Sequence, residues 1–163
     1  MKKIIFSISS IVFLIFLVEC AGYKPIFSAT KIPFKISDHS LKGDTALGNK
    51  IYFKLKNLSN STDNQEARGI FLLIDISKSK NSTSKNTAGK TLEYKITLNT
   101  KVKVRDFFTN DEILSHTFIS SETYKTQSQY FKTVQSENKS IDNLLNKTYQ
   151  DLLTKLSQNI QLK

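Results

Sequence analysis

The chain has 163 residues, with 24 Lys and Arg against 14 Asp and Glu, which gives a formal net charge of +10. This length predicts one domain, large enough to fold without disulfide bonds. Because the chain has one cysteine and two histidines, it has no disulfide framework, no cysteine-based zinc site and few possible histidine-dependent catalytic arrangements. The positive charge indicates an anionic partner such as phosphates, a membrane surface or nucleic acid.

The N-terminus is typical of an exported protein. Two lysines precede an apolar run over residues 4–18. At about 1.5 Å per residue this run is too short to span a bilayer comfortably, and it fits the apolar core of a secretory signal better. The run ends in a sequence that is similar to a bacterial lipobox, with Leu17 three positions before Cys20, although Glu19 stands where a small residue is usual. We therefore expect residues 1–19 to be a signal peptide and Cys20 to carry lipid. The alternative is an uncleaved anchor followed by an incidental cysteine.

Several acyl chains on Cys20 would supply stable membrane attachment, at about 0.8 kcal/mol per buried CH₂ group. Ala21 follows the cysteine in place of the Asp that commonly marks retention at the inner membrane. We therefore expect a lipid-anchored protein at the periplasmic side of the outer membrane of a double-membraned bacterium.

The first half of the remaining chain predicts a strand and a helix. Alternating apolar residues predict a short strand over residues 32–36, and Pro33 favours an edge position or a strand start. Asp44 or Thr45 can cap the following helix, which ends in the polar stretch 57–64. Its apolar stripe consists of Leu47, Ile51, Leu55 and Leu58.

Two further strands follow, separated by a polar segment. Residues 68–77 predict a strand with apolar side chains on both faces, where Phe71 and Leu73 suggest coverage from both sides. Residues 78–90 lack apolar periodicity and predict a mobile hairpin tip. Apolar and polar residues then alternate over residues 92–105, which predicts a long, half-exposed antiparallel strand. Its apolar side chains stand at even positions: Leu92, Tyr94, Ile96, Leu98, Val102 and Val104.

The last third predicts a strand over residues 113–121, a linker over 124–136 and a helix over 140–162 with a wide apolar stripe. Tyr130 and Phe131 are expected to pack under that helix. The predicted fold class is α+β, a roughly four-stranded, mostly antiparallel sheet with two helices packed on one face. Residues 20–163 form a single domain in this interpretation, and the pattern leaves the strand order open.

Two groups of basic residues are candidates for binding phosphates. Lys101, Lys103 and Arg105 lie on the polar side of the third predicted strand, in steps of about 6.6–6.8 Å. Such a row can make several charge-assisted contacts to phosphate oxygens. The predicted hairpin tip contributes a second set, Lys78, Lys80, Lys85 and Lys90. Plain solvation, or protection of a strand edge from aggregation, is the alternative interpretation of both groups.

The start of the expected mature chain and the order of elements resemble the LptE family of outer-membrane lipoproteins that assemble lipopolysaccharide. Cys20 is followed closely by the run Gly22-Tyr23-Lys24-Pro25-Ile26-Phe27, which is similar to the start of the shorter members. The order strand, helix, three strands and long helix covers nearly the whole remaining chain. Glu19 and the extra Ala21 depart from the family pattern.

This resemblance implies a protein that is not an enzyme and has no cofactor. Members of the family sit in the lumen of the LptD β-barrel, help it assemble, plug it and bind lipopolysaccharide. Lys101, Lys103 and Arg105, with Lys78, Lys80 and Lys85, would then be the residues that contact lipopolysaccharide. A rival interpretation is an auxiliary lipoprotein of a lipid-transporting ABC system. Export argues against a nucleic-acid partner, and the lack of a catalytic triad or metal ligands argues against a hydrolase.

Overall fold

The structure is a computed structural model, and it describes residues 34–60 and 67–161. The predicted signal peptide, Cys20 and the run that follows the cysteine lie outside the described residues. The elements in chain order are β1 (Phe34–Gly43), α1 (Thr45–Asn60), β2 (Arg68–Lys85), β3 (Thr91–Asp106), β4 (Glu112–Lys125) and α2 (Tyr130–Gln161). Neither of these two helices is apolar and long enough to cross a membrane.

The four strands form one sheet in the order β1-β2-β3-β4. β1 pairs with β2 in parallel through the crossover helix α1, and the other two pairings are antiparallel. A parallel pair needs such a crossover, whereas the antiparallel pairs need only short turns. The α+β prediction of a mostly antiparallel four-stranded sheet with two helices is confirmed.

Both helices contribute to a single core on one face of the sheet. The even-numbered residues of β2 and β3 point toward the helices because successive side chains of a strand alternate between faces. The predicted stripe of α1 is buried at Leu47, Ile51 and Leu55, and that of α2 at Leu144, Leu152 and Leu156, among others. Burial of apolar surface at about 25 cal/mol per Å² is the main force that holds the helices to the sheet.

The first strand is longer than the sequence predicted. It runs to Gly43, while residues 32 and 33 lie outside the described part of the chain. A bulge between Ile36 and Asp38 shifts the register, so that core-facing positions change from even numbers to odd numbers. This change of phase broke the alternation on which the prediction of residues 32–36 depended.

The junction of β1 and α1 is a tight turn. Gly43 has a φ of 70°, which an L side chain rarely adopts. The Asp44 backbone N–H donates to the Ile76 carbonyl oxygen at 2.8 Å, and the Asp44 side chain accepts from the Leu47 N–H at 3.2 Å. Of the two capping residues predicted, Asp44 is the one that caps the helix.

The prediction of a mobile tip over residues 78–90 is wrong. β2 continues to Lys85 and pairs with β3 along this segment, so that only a short turn at residues 86–90 remains. The Asn86 side chain accepts hydrogen bonds from the backbone of Ala88 and Lys90, and Gly89 has a φ of 78°. Backbone pairing with β3 therefore keeps residues 78–85 in a strand, although this segment has no apolar side chains.

The prediction of a linker over residues 124–136 is also wrong. β4 continues to Lys125, and α2 begins at Tyr130. The predicted strand 113–121 and the predicted terminal helix are confirmed as parts of these longer elements. Tyr130 and Phe131 are 83% and 68% exposed in the first turn of α2, so they do not pack under that helix.

Candidate functional site

The candidate site lies on the face of the sheet that the two helices leave uncovered. Odd-numbered residues of β3 point to this face and are mainly polar or basic. On β2 the same face begins with the half-buried apolar residues Phe71 and Leu73. Neither described helix covers these two side chains, so their partial burial comes from neighbouring residues of the sheet face, and coverage of part of this strand on both sides stays a prediction.

The central part of this face holds a shallow depression of about 260 Å³, which we call the basic depression. Three neighbouring strands contribute its lining: Lys42 from β1, Phe71, Leu73 and Asp75 from β2, and Lys101, Lys103 and Arg105 from β3. The three basic residues that the sequence placed in one row are therefore brought together at one surface site.

The registers between strands alternate basic and apolar groups across the basic depression. Arg105 lies opposite Phe71, and Lys103 lies opposite Leu73. Directly paired residues in an antiparallel sheet have Cβ atoms about 4.5–5.5 Å apart, so each cation stands beside an apolar side chain. The long stems of Lys and Arg can cover such side chains while their charged ends reach the solvent.

The charges of the basic depression are unbalanced. Four cations face a single carboxylate, that of Asp75. Within the described part of the chain, neither Lys101 nor Lys103 forms an ion pair with an acidic side chain. An apolar floor with an excess of cations at its rim is suited to an amphiphilic anion, whose phosphates meet the cations while apolar groups contact the floor.

The second predicted basic set does not join this site. Lys78 pairs in register with Leu98, and Lys80 with Ile96, so both lie on the opposite, helix-bearing face. Lys85 pairs with Thr91 at the far end of the ribbon. The six residues predicted to bind one ligand therefore lie on more than one surface of the sheet.

Lys80 belongs to a polar and aromatic cluster that ties the sheet to α2. Its Nζ is 2.5 Å from Glu137 Oε2 and 4.4 Å from the centre of the Tyr94 ring. The Tyr124 hydroxyl donates to the same carboxylate at 2.8 Å. Partial burial opposes the charged form of Lys80, but the hydrogen bonds to Glu137 and Tyr124 outweigh it and raise the pKa of the lysine. This lysine is therefore held in place by its neighbours.

A second concave surface adjoins this cluster, between the β2–β3 ribbon and the start of α2. It has a volume of about 390 Å³ and is mixed in character, with Tyr94, Tyr130, Lys80, Lys90 and Glu137 among its lining residues. Glu137 faces the lysines here, so this cleft lacks the uncompensated positive charge of the basic depression.

The sequence missed the part of the site that depends on contacts between strands. Phe71, Leu73 and Asp75 on β2 and Lys42 on β1 were not predicted as site residues. The only available signal was the apolar character of residues 71 and 73 on the side of the strand away from the core. In the described part of the chain, no group of three or more His, Asp or Glu side chains is placed to hold a metal ion.

Comparisons with known proteins support the fold. The sequence matches no family model and no curated protein. Among solved structures, it is similar to rare lipoprotein B from Shewanella oneidensis, with a TM-score of 0.54, 13% identity and coverage of 77% of this chain and 98% of that one. A minor lipoprotein from Acinetobacter baumannii gives a TM-score of 0.53 at 13% identity, covering 78% and 95%. An uncharacterized lipoprotein B from Nitrosomonas europaea gives 0.56 at 12% identity, covering 75% and 81%.

Proposed function

We propose that this protein is an outer-membrane lipoprotein that assembles with and plugs an LptD-like β-barrel and contacts lipopolysaccharide on its way to the cell surface. The observation that carries the proposal is the basic depression, where an excess of cations surrounds an apolar floor. The fold supports it, because solved structures that share this fold are named as lipoproteins.

The chemistry of lipopolysaccharide fits the basic depression. It is a phosphorylated and acylated glycolipid, so it carries both anionic and apolar groups. Lys101, Lys103 and Arg105 offer cations to its phosphates, and Phe71 and Leu73 offer apolar contact to its acyl chains. Lys78, Lys80 and Lys85 lie elsewhere on the sheet, and any contact they make would belong to a separate part of a large ligand.

The polar surface of the sheet fits the role of a plug. The interior of a large outer-membrane barrel is polar, so a rigid plug needs a polar outer surface rather than an apolar one. Beyond the basic depression, β4 presents Ser115, Thr117 and Ser121 as exposed residues of the helix-free face, with Ile119, which is 68% exposed, as the apolar exception in that row. A sheet backed by two packed helices supplies the rigidity.

The remaining parts of the proposal come from the sequence. A lipid on Cys20 would anchor the protein at the periplasmic side of the outer membrane. The proposed role is binding and assembly rather than catalysis, so it includes no enzyme activity and no cofactor. Export to the periplasm leaves little opportunity for a nucleic-acid partner.

Gentle detergent extraction of the tagged protein from outer membranes tests the barrel partnership. We expect a large outer-membrane β-barrel to be recovered in stoichiometric amount and identified by its mass. Recovery of the protein alone would contradict the proposal. Recovery with inner-membrane transporter subunits would favour an auxiliary lipoprotein of a lipid-transporting ABC system.

Charge reversal tests the basic depression. The double variant Lys101→Glu/Lys103→Glu is expected to bind purified lipopolysaccharide at least about tenfold more weakly, because each charge-assisted contact contributes about 1.5–3 kcal/mol. Lys95→Glu/Lys125→Glu is the matched control, since it changes the net charge equally and both lysines are exposed on the same face but outside the depression. Equal losses in both variants would show a general effect of net charge and would contradict a defined site.

A further inference from the structure

The turn between β3 and β4 presents two aromatic side chains to solvent. Phe107 is 46% exposed and Phe108 is 85% exposed. Their rings meet edge to face, with centroids 5.5 Å apart. Burial of a side chain of this size is worth about 1.5–3 kcal/mol, so this pair, which we call the Phe tip, offers a substantial driving force to any apolar surface that receives it.

The Phe tip is held in a defined conformation. The Asp106 carboxylate accepts from the N–H of Phe108 at 2.9 Å and of Thr109 at 3.0 Å, and also from Arg68 Nε at 2.5 Å. The Phe107 N–H donates to the Gly69 carbonyl oxygen at 3.0 Å. These bonds join the turn to the start of β2, so the two rings project from a well-connected turn.

Charged residues of both signs lie near the Phe tip. Arg105 precedes it on β3, and Lys35 pairs in register with Gly69, whose carbonyl oxygen accepts from the Phe107 N–H, while Asp111 and Glu112 follow it in the chain. Exposed aromatic residues beside Lys and Arg are typical of segments that bind at the boundary between lipid headgroups and acyl chains, where anionic lipids attract the cations. A convex tip of this kind needs no preformed pocket in its partner.

The Phe tip also lies at the end of the sheet where the described chain enters. Phe34 pairs with Arg68, and Ile70 pairs with Asp106, so the starts of β1 and β2 and the end of β3 share this end. Cys20 lies fourteen positions before Phe34 in the sequence. Because an extended chain spans at most about 3.6 Å per residue, a lipid-bearing Cys20 would keep the start of β1 within about 50 Å of the membrane.

We propose that the Phe tip is a membrane-contact site that inserts Phe107 and Phe108 into the headgroup region of a phospholipid bilayer, with Lys35 facing lipid phosphates. This contact would be a second attachment beside the N-terminal lipid, and it would set the orientation of the sheet relative to the bilayer. It does not depend on a barrel partner or on lipopolysaccharide.

Tryptophan fluorescence tests this site directly, because the chain contains no tryptophan. The full chain carrying Phe108→Trp is purified from cell membranes and reconstituted into vesicles of phosphatidylethanolamine and phosphatidylglycerol. Phe131→Trp is the matched control, since Phe131 is also exposed but lies in the first turn of α2, at the opposite end of the sheet. Phe107→Trp repeats the measurement at the neighbouring position of the tip.

We expect the emission of the Phe108→Trp protein to shift to shorter wavelength on vesicles and to be quenched by lipids brominated on their acyl chains, while the Phe131→Trp protein shows neither change. Unshifted and unquenched emission from both tip variants would overturn the proposal, as would equal quenching of the control. A shift that requires added barrel protein would also overturn it and assign the tip to a protein contact.

Discussion

Asp106 has a carboxylate whose ionised form stabilises the fold. Its side chain is buried at the end of β3, where hydrogen bonds from the backbone of Thr109, the Arg68 guanidinium and the backbone of Phe108 lower its pKa from 3.8 to about 2. A lowered pKa in the folded state means that the ionised form stabilises the protein above the ordinary pKa, and that this stabilisation is lost as pH falls toward 2. The turn that carries the Phe tip therefore depends on a charged Asp106.

This dependence predicts how stability varies with pH. The difference in free energy of unfolding between the unsubstituted protein and Asp106→Asn is expected to be largest above pH 4 and to shrink between pH 4 and pH 2. Urea denaturation of both proteins at several pH values measures it, and the other carboxylates cancel in the difference. A difference that stays constant over this range would show that the charge of Asp106 has no part in stability.

Lys80 shows that the sequence does not determine the contact partners of a charged side chain. In the sequence it is one of several lysines in a polar segment, and it was grouped with Lys78 and Lys85 as a ligand contact. In the structure it contacts Glu137 and two tyrosine rings, and all of these partners are distant in sequence. Pairing partners of a charged side chain come from the tertiary fold, so the sequence pattern alone does not separate a tethered lysine from a free one.

Among the connections between elements, the β1–α1 junction leaves no room for a side chain. A Cβ atom added at Gly43 would lie 2.2 Å from the Ile76 carbonyl oxygen, whereas one added at Gly89 would meet nothing within 4 Å. Both glycines have positive φ values, 70° and 78°. They therefore share the conformational penalty of substitution, but only Gly43 adds a backbone clash.

Alanine at the two positions separates these effects. Gly89→Ala is expected to lower the free energy of unfolding by about 1–2 kcal/mol, the cost of the left-handed conformation. Gly43→Ala is expected to cost clearly more, because β1 and β2 must also move apart. Equilibrium denaturation of the two variants gives both values, and an equal loss would mean that the junction relaxes without penalty.

The elements were predictable where side-chain periodicity decides them. β3 was predicted almost to its ends, because Ile96, Leu98, Val102 and Val104 face one core without interruption. The bulge after Ile36 hid the second half of β1. Residues 78–85 and 130–139 lack a strong apolar stripe, so their strand and helix arise from backbone pairing and from continuity with a packed neighbour rather than from local pattern.

For the molecule as a whole, the predicted anchor gives a direct test. Cys20 is the only cysteine of the chain, so any thioether-linked lipid must reside there. Cys20→Ser is expected to abolish incorporation of labelled fatty acid and to reduce recovery in the outer-membrane fraction. Ala21→Ser, which introduces the same residue at the neighbouring position and leaves the cysteine in place, is the control. Unchanged labelling of the Cys20→Ser protein would contradict lipidation.

The candidate site was predictable only in part. The row Lys101, Lys103 and Arg105 follows from the period of a strand, which is local. Lys42 and the floor at Phe71 and Leu73 join it through the registers of β1 with β2 and of β2 with β3, which bring together residues about 30 positions or more apart. A local pattern does not specify such registers, so the amphiphilic character of the site emerged from the structure.

The parallel pairing of β1 with β2 has a consequence for the order of folding. Each paired residue of β1 has its partner 33 or 34 positions later, as Phe34 does with Arg68. In a chain exported as proposed, β1 emerges from the inner membrane first and has no partner strand until α1 and β2 have followed it. β2, β3 and β4, joined by short turns, can pair with one another as they emerge. The first strand must therefore stay unpaired during this interval, which is when a folding helper would have most to protect.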